Sequence, residues 1–372
     1  MHKTQSAESG QALIVQLCLP HYRVPFFAEL SRRLNDELAV VAGPWSFGKR
    51  LMSVNESPGV KRYTVNNKFI LNRFAVQTLP RVVRSCPIAI LEFDLRIISN
   101  LVLFVERRRR HLPVVLWGPG LSRRPDSPSW IVRVRAQMAQ WADALVLYED
   151  EGKQDFLRLG VPEEKLFVAN NSIDVKAIRQ FALASEVSRS NILYIGRLIP
   201  AKKADLLIQG FALARSGLPV DSHLVIIGDG SERSRLEALV QQLGLVGAVE
   251  FIGELTDEAV LACYFAQSLL CVSPGYLGLS AIHSFAHGVP LLVADREPHS
   301  PEIAVFIPGE NGEFFAANDA ADLASHLVGL VANPERLSAM GHNAQCLVQS
   351  KYSVQHMADV FLQAFEHAGY RR

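Results

Sequence analysis

The stretch NILYIGRLIPAKKADLLIQGF (residues 191–211) contains the pattern on which the fold of this chain depends. It begins with a short run of apolar and β-branched residues, turns at Gly196, and continues into a segment whose apolar residues recur at helical spacing. A strand, a glycine turn and a helix in this order are typical of one unit of a parallel sheet with helical crossovers. Two cations, Arg197 and Lys202, lie between the strand and the helix.

The same pattern recurs along the chain. Ten apolar runs are predicted to be strands, namely residues 12–19, 38–43, 88–93, 113–118 and 144–148 in the first half and 191–196, 223–230, 249–253, 268–274 and 290–294 in the second. A polar passage without strand character, residues 170–190, separates the halves, and we place a hinge near 174–190. We therefore predict two α/β domains, residues 1–176 and 177–354, with a C-terminal helix (355–372) that packs back on the first domain.

Composition narrows the classes of protein to which the chain can belong. Among its 372 residues, 38 Lys and Arg face 37 Asp and Glu, a balance that argues against the uniformly basic surface of a nonspecific nucleic-acid binder. No signal peptide or membrane-spanning segment is predicted. The five cysteines are odd in number and form no CxxC pair, so we expect neither a disulfide framework nor a zinc knuckle, and we expect a reducing cytoplasm.

Ligands of open parallel sheets bind beyond the carboxyl ends of the strands, so the loops that follow the predicted strands are the places to search. Next to a helix N-terminus, Arg197 and Lys202 can neutralise a diphosphate, although cations on an ordinary surface loop fit the same residues. The GDG turn at residues 228–230 allows a ligand to approach the backbone, and a tight turn explains it equally well. Free N–H groups around residues 278–280, at the start of another predicted helix, can hold phosphate oxygens.

These pieces, taken in order, resemble the donor half of a GT-B glycosyltransferase of family 4, also called glycosyltransferase group 1. The similar segments are GRLIPAKK (196–203), GDG (228–230), VEFIG (249–253) and GYLGLSAIHSFAHGVP (275–290), followed by SPEIAVFIPGENGEFF (300–315). In the first half, LPHYRVPFFAEL (19–30) and WGPGLSRR (117–124) resemble the acceptor-side segments of that family. The resemblance covers about residues 12–350.

The resemblance implies two Rossmann-like domains facing across a cleft and a retaining transfer of a hexose or deoxyhexose, through an oxocarbenium-like centre, from a nucleotide sugar to a glycan or lipid-linked glycan. Arg197 and Lys202 would be catalytic, and no metal or cofactor would be required. The implied donor-binding residues are Gly196, Gly228, Gly230, Gly253, Gly275, Gly278, Leu279 and His283. The implied acceptor-side residues are His21, Arg23, Gly118, Arg123 and Arg124.

The chain departs from the family at three positions. Gly275 and His283 stand where the family has the two glutamates of its E-x7-E motif, and Pro119 stands where many relatives have a histidine. Neutral imidazole offers one donor and one acceptor, so His283 can still hydrogen-bond a ribose hydroxyl. A sugar-nucleotide epimerase or phosphorylase of the same fold, or a nonenzymatic nucleotide-binding partner of a sister transferase, are the alternative functions.

His283 and His287 are four residues apart and share one face of a predicted helix. No third metal ligand is obvious nearby in the sequence, so a zinc site is not predicted. His283 is interpreted as a residue of the donor pocket, with a buried structural histidine as the alternative, and His287 as a helix-end residue. Glu302, in SPEI, is predicted at a helix start, where capping explains it.

Four consecutive arginines, Arg107 to Arg110, end an apolar helix-like run. Such a run is usually a solvated helix end, but an acceptor anchored in a membrane would bring an anionic lipid surface that attracts it. We therefore expect a cytoplasmic protein that attaches peripherally to the inner face of the plasma membrane, with a nucleotide sugar and a glycan or lipid-linked acceptor as partners and without nucleic acid.

Overall fold

A computed structural model describes residues 11–49, 51–54, 56–121, 128–181 and 189–370. The chain divides into two compact units, one formed by residues up to Ile173 together with those from Val354, and the other running from Asp174 to Ser353. The division follows Ile173, against a predicted boundary after residue 176. We call the two parts the first and the second unit.

The first unit is built on a parallel sheet. Its strands are β1 (Ala12–Cys18), β2 (Leu38–Gly43), β3 (Lys61–Thr64), β4 (Asn67–Ile70), β5 (Phe74–Gln77), β6 (Ala89–Glu92), β7 (Val114–Gly118), β8 (Ala144–Leu147) and β9 (Leu166–Val168). Within the described residues, seven of these pair in the order β3-β2-β1-β6-β7-β8-β9, and β4 and β5 form a separate antiparallel hairpin. Its first four helices are α1 (Val24–Arg33), α2 (Ile98–Arg109), α3 (Ser129–Trp141) and α4 (Asp150–Arg158).

The second unit repeats this design. Its helices are α5 (Val175–Gln180), α6 (Ala204–Ala214), α7 (Arg233–Gln242), α8 (Glu258–Ala266), α9 (Ser280–Ala286), α10 (Ala320–Val331) and α11 (Pro334–Lys351). Its strands are β10 (Asn191–Ile195), β11 (Leu224–Ile227), β12 (Val249–Gly253), β13 (Ser268–Ser273), β14 (Leu291–Ala294) and β15 (Gly312–Phe315). They pair in the parallel order β12-β11-β10-β13-β14-β15, which is the doubly wound strand order of dinucleotide-binding folds.

The C-terminal helix α12 (Val354–His367) belongs to the first unit, where it packs with α1. Side chains alternate across β1, so Ile14 lies in one core cluster with Phe26 of α1 and Phe361 of α12, whereas Val15 lies in another with Phe104 of α2. The rings of Phe26 and Phe361 are 4.9 Å apart between centroids. Both faces of the first sheet are thus covered by helices, as parallel sheets require.

Each of the ten predicted strand segments contains a strand, and the predicted α/β fold with two parallel-sheet units is confirmed. Strands β3, β4, β5, β9 and β15 were not predicted. Over the part of the chain that the structure describes, no helix combines the length and apolarity needed to cross a bilayer.

Candidate functional site

The loops that follow β10, β11 and β12 lie against each other, backbone to backbone. The N–H of Gly228 donates to the carbonyl of Gly253 (2.8 Å), and a Cβ placed on Gly228 would lie 1.9 Å from the carbonyl oxygen of Gly196. A Cβ on Gly230 would likewise lie 2.3 Å from the carbonyl oxygen of Leu198. These glycines are required by the contact between the loops themselves, so their predicted contact with a donor stays a prediction.

Lys202 links the loop after β10 to the loop before α9. Its Nζ donates a hydrogen bond of 2.7 Å to the carbonyl of Tyr276 and lies 5.2 Å from the centroid of that ring. A Cβ placed on Gly278 would lie 3.9 Å from the same Nζ, so the predicted residues Lys202 and Gly278 do meet. Burial, and then the charge of Arg197, lower the pKa of Lys202 to about 8, against a smaller opposing effect of Glu302.

Arg197 presents the second cation of this loop. The residue is exposed, and its guanidinium has no hydrogen-bond or ion-pair partner among the residues that the structure describes. Its carbonyl accepts a hydrogen bond of 3.1 Å from the hydroxyl of Tyr194, which fixes the backbone. Lys203, by contrast, is engaged with Glu297 and with Asn318. Arg197 and Lys202 are therefore the cations of this loop that remain placed for an anionic ligand.

Gly275 lies directly against the loop that holds Lys202. A Cβ at this position would approach the carbonyl oxygen of Ala201 to 2.5 Å and the carbonyl carbon of Lys202 to 2.9 Å. The next residue, Tyr276, donates its N–H to the same carbonyl of Ala201 (3.0 Å). Backbone atoms occupy the space that a side chain would need, so the arrangement of these loops explains why residue 275 carries none.

The loop before α9 is held from its other side by residues that follow β14. Leu277 donates its N–H to Nδ1 of His299 (3.1 Å), and Nε2 of this histidine donates to the carbonyl of Ala294 (2.9 Å). The hydroxyl of Ser300 donates to the carbonyl of Leu277 (2.8 Å). The two contacts fix His299 as the neutral tautomer with the proton on Nε2. Sequence reasoning missed His299 and Ser300 because they act by supporting a distant loop.

The predicted phosphate-contacting residues Gly278 and Leu279 immediately precede α9. In the described part of the chain their backbone N–H groups have no acceptor, while the carbonyl of Leu279 accepts the N–H of His283 (3.1 Å). Unpaired N–H groups at a helix start are donors that an anion can engage. Of the two residues, Gly278 lies beside the ammonium of Lys202.

His283 is partly engaged by a neighbouring helix. Its Nε2 donates to Oε2 of Glu258 at the start of α8 (2.9 Å), and its ring centroid lies 5.2 Å from that of Phe265 and 5.4 Å from that of His287. Outside the stretches that the structure leaves undescribed, Nδ1 has no partner. The predicted contact of His283 with the donor therefore stays a prediction, and only Nδ1 is free to make it.

His287 stacks on Phe265, with the ring centroids 4.3 Å apart and the planes 11° from parallel. Its Nε2 is buried and has no hydrogen-bond partner in the part of the chain that the structure describes. Burial first, and then the charges of His283 and Arg189, lower the pKa of His287 to about 3, so the ring is neutral at physiological pH. The ligand atoms of His287, His283 and Glu258 all lie within 4.8 Å of one another. The third candidate ligand, Glu258, was not evident near the histidines in the sequence, because it precedes His283 by 25 residues and reaches it from α8.

In the first unit, the predicted acceptor-side residues have different environments. His21 is exposed, whereas Arg23 is buried, with its guanidinium 4.2 Å above the ring of Trp117 and an NH2 that donates to the hydroxyl of Tyr148 (2.8 Å). Its NH1 is buried and has no partner within the described ranges. Gly118 is buried, and a Cβ there would lie 3.1 Å from that of Phe93. Arg123 and Arg124 lie outside the described residues, and the acceptor-side assignment stays a prediction.

Two further polar residues near Arg23 were missed by sequence reasoning. Glu92, which ends β6, accepts the backbone N–H of Leu17 through Oε2 (2.9 Å), and burial raises the pKa of this carboxyl group. Burial also raises the pKa of Tyr148 to about 12. A half-buried carboxyl group and a half-buried phenol therefore accompany Arg23 at the carboxyl edge of the first sheet.

The run of four arginines is not uniformly exposed, contrary to the expectation that it projects dense positive charge. Arg107 is fully buried and donates to the carbonyls of Val83 (2.9 Å), Cys86 (3.0 Å) and Pro113 (2.9 Å). Its guanidinium thus connects α2 by hydrogen bonds to the backbone at Val83, Cys86 and Pro113. Arg108 pairs with Asp143 (2.9 Å) and Arg110 with Glu106 (2.9 Å). Arg109 alone in this run is without a partner among the described residues.

Comparison with known proteins places these features in context. Residues 176–346 match the family model "Glycosyl transferases group 1". The chain is 26% identical over 227 residues to D-inositol 3-phosphate glycosyltransferase 2 of Catenulispora acidiphila, covering 56% of this chain and 52% of that relative. It is 31% identical over 232 residues to an exopolysaccharide phosphotransferase of Streptomyces coelicolor, covering 60% of this chain and 23% of that relative. The chain thus spans about half or less of these curated relatives.

Among solved structures, the fold resembles that of Anabaena HepE in complex with UDP, with a TM-score of 0.69 and 16% sequence identity, covering 96% of this chain and 99% of that chain. At this level of identity the likeness concerns the fold. The predicted GT-B class of fold is confirmed.

Proposed function

Because residues 176–346 match the family model of the glycosyl transferases group 1, we propose that this protein is a retaining glycosyltransferase. It moves a hexose or deoxyhexose from a nucleotide sugar to a glycan or lipid-linked glycan in surface polysaccharide biosynthesis. The observation that carries the proposal is Lys202, hydrogen-bonded to Tyr276 and set beside Gly278, with the unpaired guanidinium of Arg197 on the same loop.

In the proposed reaction, the bond between the anomeric carbon and the donor diphosphate breaks, and its electron pair stays on the leaving oxygen. The acceptor hydroxyl forms the new bond to that carbon and loses its proton. The leaving diphosphate gains negative charge, which cations that are already in position stabilise more in the transition state than in the bound donor. Arg197, Lys202 and the N–H groups of Gly278 and Leu279 supply this stabilisation, with no metal at the diphosphate and no further cofactor.

The remaining donor contacts follow from the same loops. The glycines at 196, 228, 230 and 253 line the backbone edge along which the nucleotide lies. Nδ1 of His283 hydrogen-bonds a ribose hydroxyl, because the contact with Glu258 occupies only Nε2. At Gly275 the sugar meets backbone in place of a side chain. The structure of the HepE complex with UDP supports a nucleotide ligand for this fold.

The acceptor binds to the first unit, at His21, Arg23 and Gly118 together with Arg123 and Arg124, which lie outside the described residues. A phosphate or a sugar of a lipid-linked intermediate suits arginine side chains, which bind such groups through two parallel hydrogen bonds. Glu92 and Tyr148 lie near Arg23 and add polar groups to this edge. The name of the Streptomyces coelicolor relative, an exopolysaccharide phosphotransferase, supports a surface glycan as the product.

A lipid-linked acceptor implies contact with the inner face of the plasma membrane. On α2, Val102 and Val105 are 59% and 44% exposed, and Arg109 and Arg110 follow them at the end of the helix. Exposed aliphatic residues next to cations fit the boundary of an anionic bilayer. We assign this face of α2 to peripheral membrane contact.

A thermal-shift panel of nucleotides and nucleotide sugars tests the donor assignment. A ligand that binds only the folded state raises the unfolding temperature with its concentration, so a cognate nucleoside diphosphate should do so and Arg197→Ala should reduce the shift. Product analysis with the best donor then decides between functions. Transfer to a glycan acceptor supports the proposal, interconversion or phosphorolysis of sugars supports the epimerase or phosphorylase alternative, and binding without turnover supports a nonenzymatic partner.

A further inference from the structure

The side chains of Glu258, His283 and His287 form a compact cluster in the second unit. Helices α8 and α9 precede and follow strand β13, so they bring a carboxylate of one helix to two histidines of the other. The ligand atoms of the three side chains lie within 4.8 Å of one another, and Nε2 of His283 is 2.9 Å from Oε2 of Glu258. Two imidazoles and one carboxylate are a donor set that zinc accepts.

Aromatic contacts hold the rings of His283 and His287 in fixed orientations, as a metal site requires of its ligands. His287 is fixed by its stacking on Phe265 (4.3 Å between centroids), and His283 lies over the same two rings. The spacing of four residues places both imidazoles on one face of α9. The apolar ring of Phe265 supports them from one side, and the carboxylate of Glu258, which is 38% exposed, approaches from the solvent side.

The buried Nε2 of His287 is the observation that points to a ligand. Among the residues that the structure describes it has no hydrogen-bond partner, although a buried polar atom of this kind is ordinarily paired.

We propose that Glu258, His283 and His287 bind one Zn²⁺ ion, with water in the fourth position of a tetrahedral site. Zinc lies about 2.0–2.2 Å from imidazole nitrogens and carboxylate oxygens, so the ion replaces the direct contact of His283 with Glu258 after a small separation of the two side chains. The site joins α8 to α9, the helix that starts directly after Gly278 and Leu279. The Nδ1–H of His283 then faces away from the metal, and the site can exist whether or not the protein is a glycosyltransferase.

The test uses the full chain without a polyhistidine tag, stripped of metal and titrated with Zn²⁺ against a chromophoric chelator in the absence of nucleotide. We expect one equivalent of zinc to bind, and we expect Glu258→Gln, His283→Ala and His287→Ala each to weaken binding at least about tenfold. Glu258→Gln decides the matter if a histidine variant folds poorly, because Glu258 is part-exposed and its amide analogue keeps the size of the side chain.

The control is the double variant His342→Ala/Cys346→Ser. These residues lie on α11 with Sγ and Nε2 3.6 Å apart, and they are exposed in an arrangement that can capture zinc. The double variant should retain the wild-type affinity. Co²⁺ in place of zinc should give a visible spectrum that Glu258→Gln alters. Absence of stoichiometric zinc binding, or binding that survives Glu258→Gln and is lost in the control, overturns the proposal. Neither result would affect the donor assignment, which rests on nucleotide binding.

Discussion

The ammonium group of Lys202 donates a 2.7 Å hydrogen bond to the backbone carbonyl of Tyr276, 74 residues further along the chain. This bond ties the loop after β10 to the loop that leads into α9. It places the cation beside Gly278, whose backbone N–H has no acceptor among the described residues, before any ligand arrives. A charge that is fixed in advance needs no reorganisation during the reaction, and this is the condition under which electrostatic stabilisation of a transition state is largest.

Lys202→Ala and Arg197→Ala should each lower turnover by more than about tenfold while the fold is retained, because each removes a cation from the departing diphosphate. Both kcat and kcat/KM should fall, measured by steady-state kinetics with the donor found in the ligand panel. Lys203→Ala is the matched control, since its ammonium is engaged with Glu297 and Asn318. Wild-type kinetics in both test variants would contradict the assignment of Arg197 and Lys202 to the donor phosphates.

Lys202→Met should change the pH dependence of stability. The pKa of Lys202 is about 8 in the folded protein and 10.5 for an ordinary lysine, so between these pH values the unfolded chain holds a proton that the folded protein has lost. The free energy of unfolding of the wild type should therefore rise, relative to the variant, from pH 8 to pH 10.5. Below pH 8 the buried ammonium destabilises the wild type by a constant amount.

Urea unfolding at a series of pH values measures this difference. Lys351→Met, at the end of α11, controls for the loss of one positive charge elsewhere in the same unit. A difference between the wild type and Lys202→Met that stays constant over the window would show that the environment of Lys202 does not favour its neutral form.

Gly275→Ala should cost about 1–3 kcal/mol of stability, the range for overpacking, and should reduce kcat/KM. The new Cβ would lie 2.5 Å from the carbonyl oxygen of Ala201, and relieving that contact moves the loop to which Lys202 is bonded. Gly329→Ala, on an exposed face of α10 with no atom near the new Cβ, should instead stabilise the protein by about 0.5–1 kcal/mol.

A second variant at position 275 tests whether the loop before α9 has room for a carboxylate side chain. Gly275→Glu should be at least as damaging as Gly275→Ala, because the longer side chain meets the same backbone. Activity equal to or above that of the wild type in Gly275→Glu would mean that the loop accommodates a glutamate, contrary to the packing described above.

Arg107→Met should destabilise the protein by about 2–5 kcal/mol, because it removes the guanidinium that donates, from a fully buried position, to the carbonyls of Val83, Cys86 and Pro113. Arg109→Met should change the free energy of unfolding by less than about 0.5 kcal/mol, as surface substitutions usually do. Chemical unfolding of both variants gives the comparison. Equal effects would contradict the separation of the arginine run into one buried and several exposed members.

The protein should sediment with anionic vesicles at low salt and dissociate as salt rises, since screening shortens the reach of surface charge. The triple variant Arg108→Gln/Arg109→Gln/Arg110→Gln, which keeps Arg107, should bind about a hundredfold more weakly at a contribution of about 1 kcal/mol per cation. Replacing Arg235, Arg296 and Arg336 with Gln removes the same charge from the second unit and should change little. If the wild type does not sediment with anionic vesicles at low salt, the proposal of membrane contact is wrong.

The amino-acid sequence determined the interior strands and the loops that matter. Central strands of a parallel sheet are buried on both faces, so β1 and β10 read as continuous apolar runs in the printed sequence. The edge strand β3 and the hairpin strand β4 were missed because they are short and half-exposed, with polar residues among the apolar ones and no fully buried residue. The sequence also predicted that Arg197 and Lys202 follow a strand and a glycine turn, because this depends only on the order of neighbouring residues.

Tertiary structure alone decided which distant segments meet. Glu258 reaches His283 because α8 and α9 flank the same strand, and Arg107 is buried because Val83, Cys86 and Pro113 surround its guanidinium. Gly275 lacks room for a side chain because a loop more than 70 residues earlier lies against it. Hydrophobic periodicity indicates which face of a helix or strand is buried. It does not indicate which other element covers that face, since this depends on the order in which the strands pair.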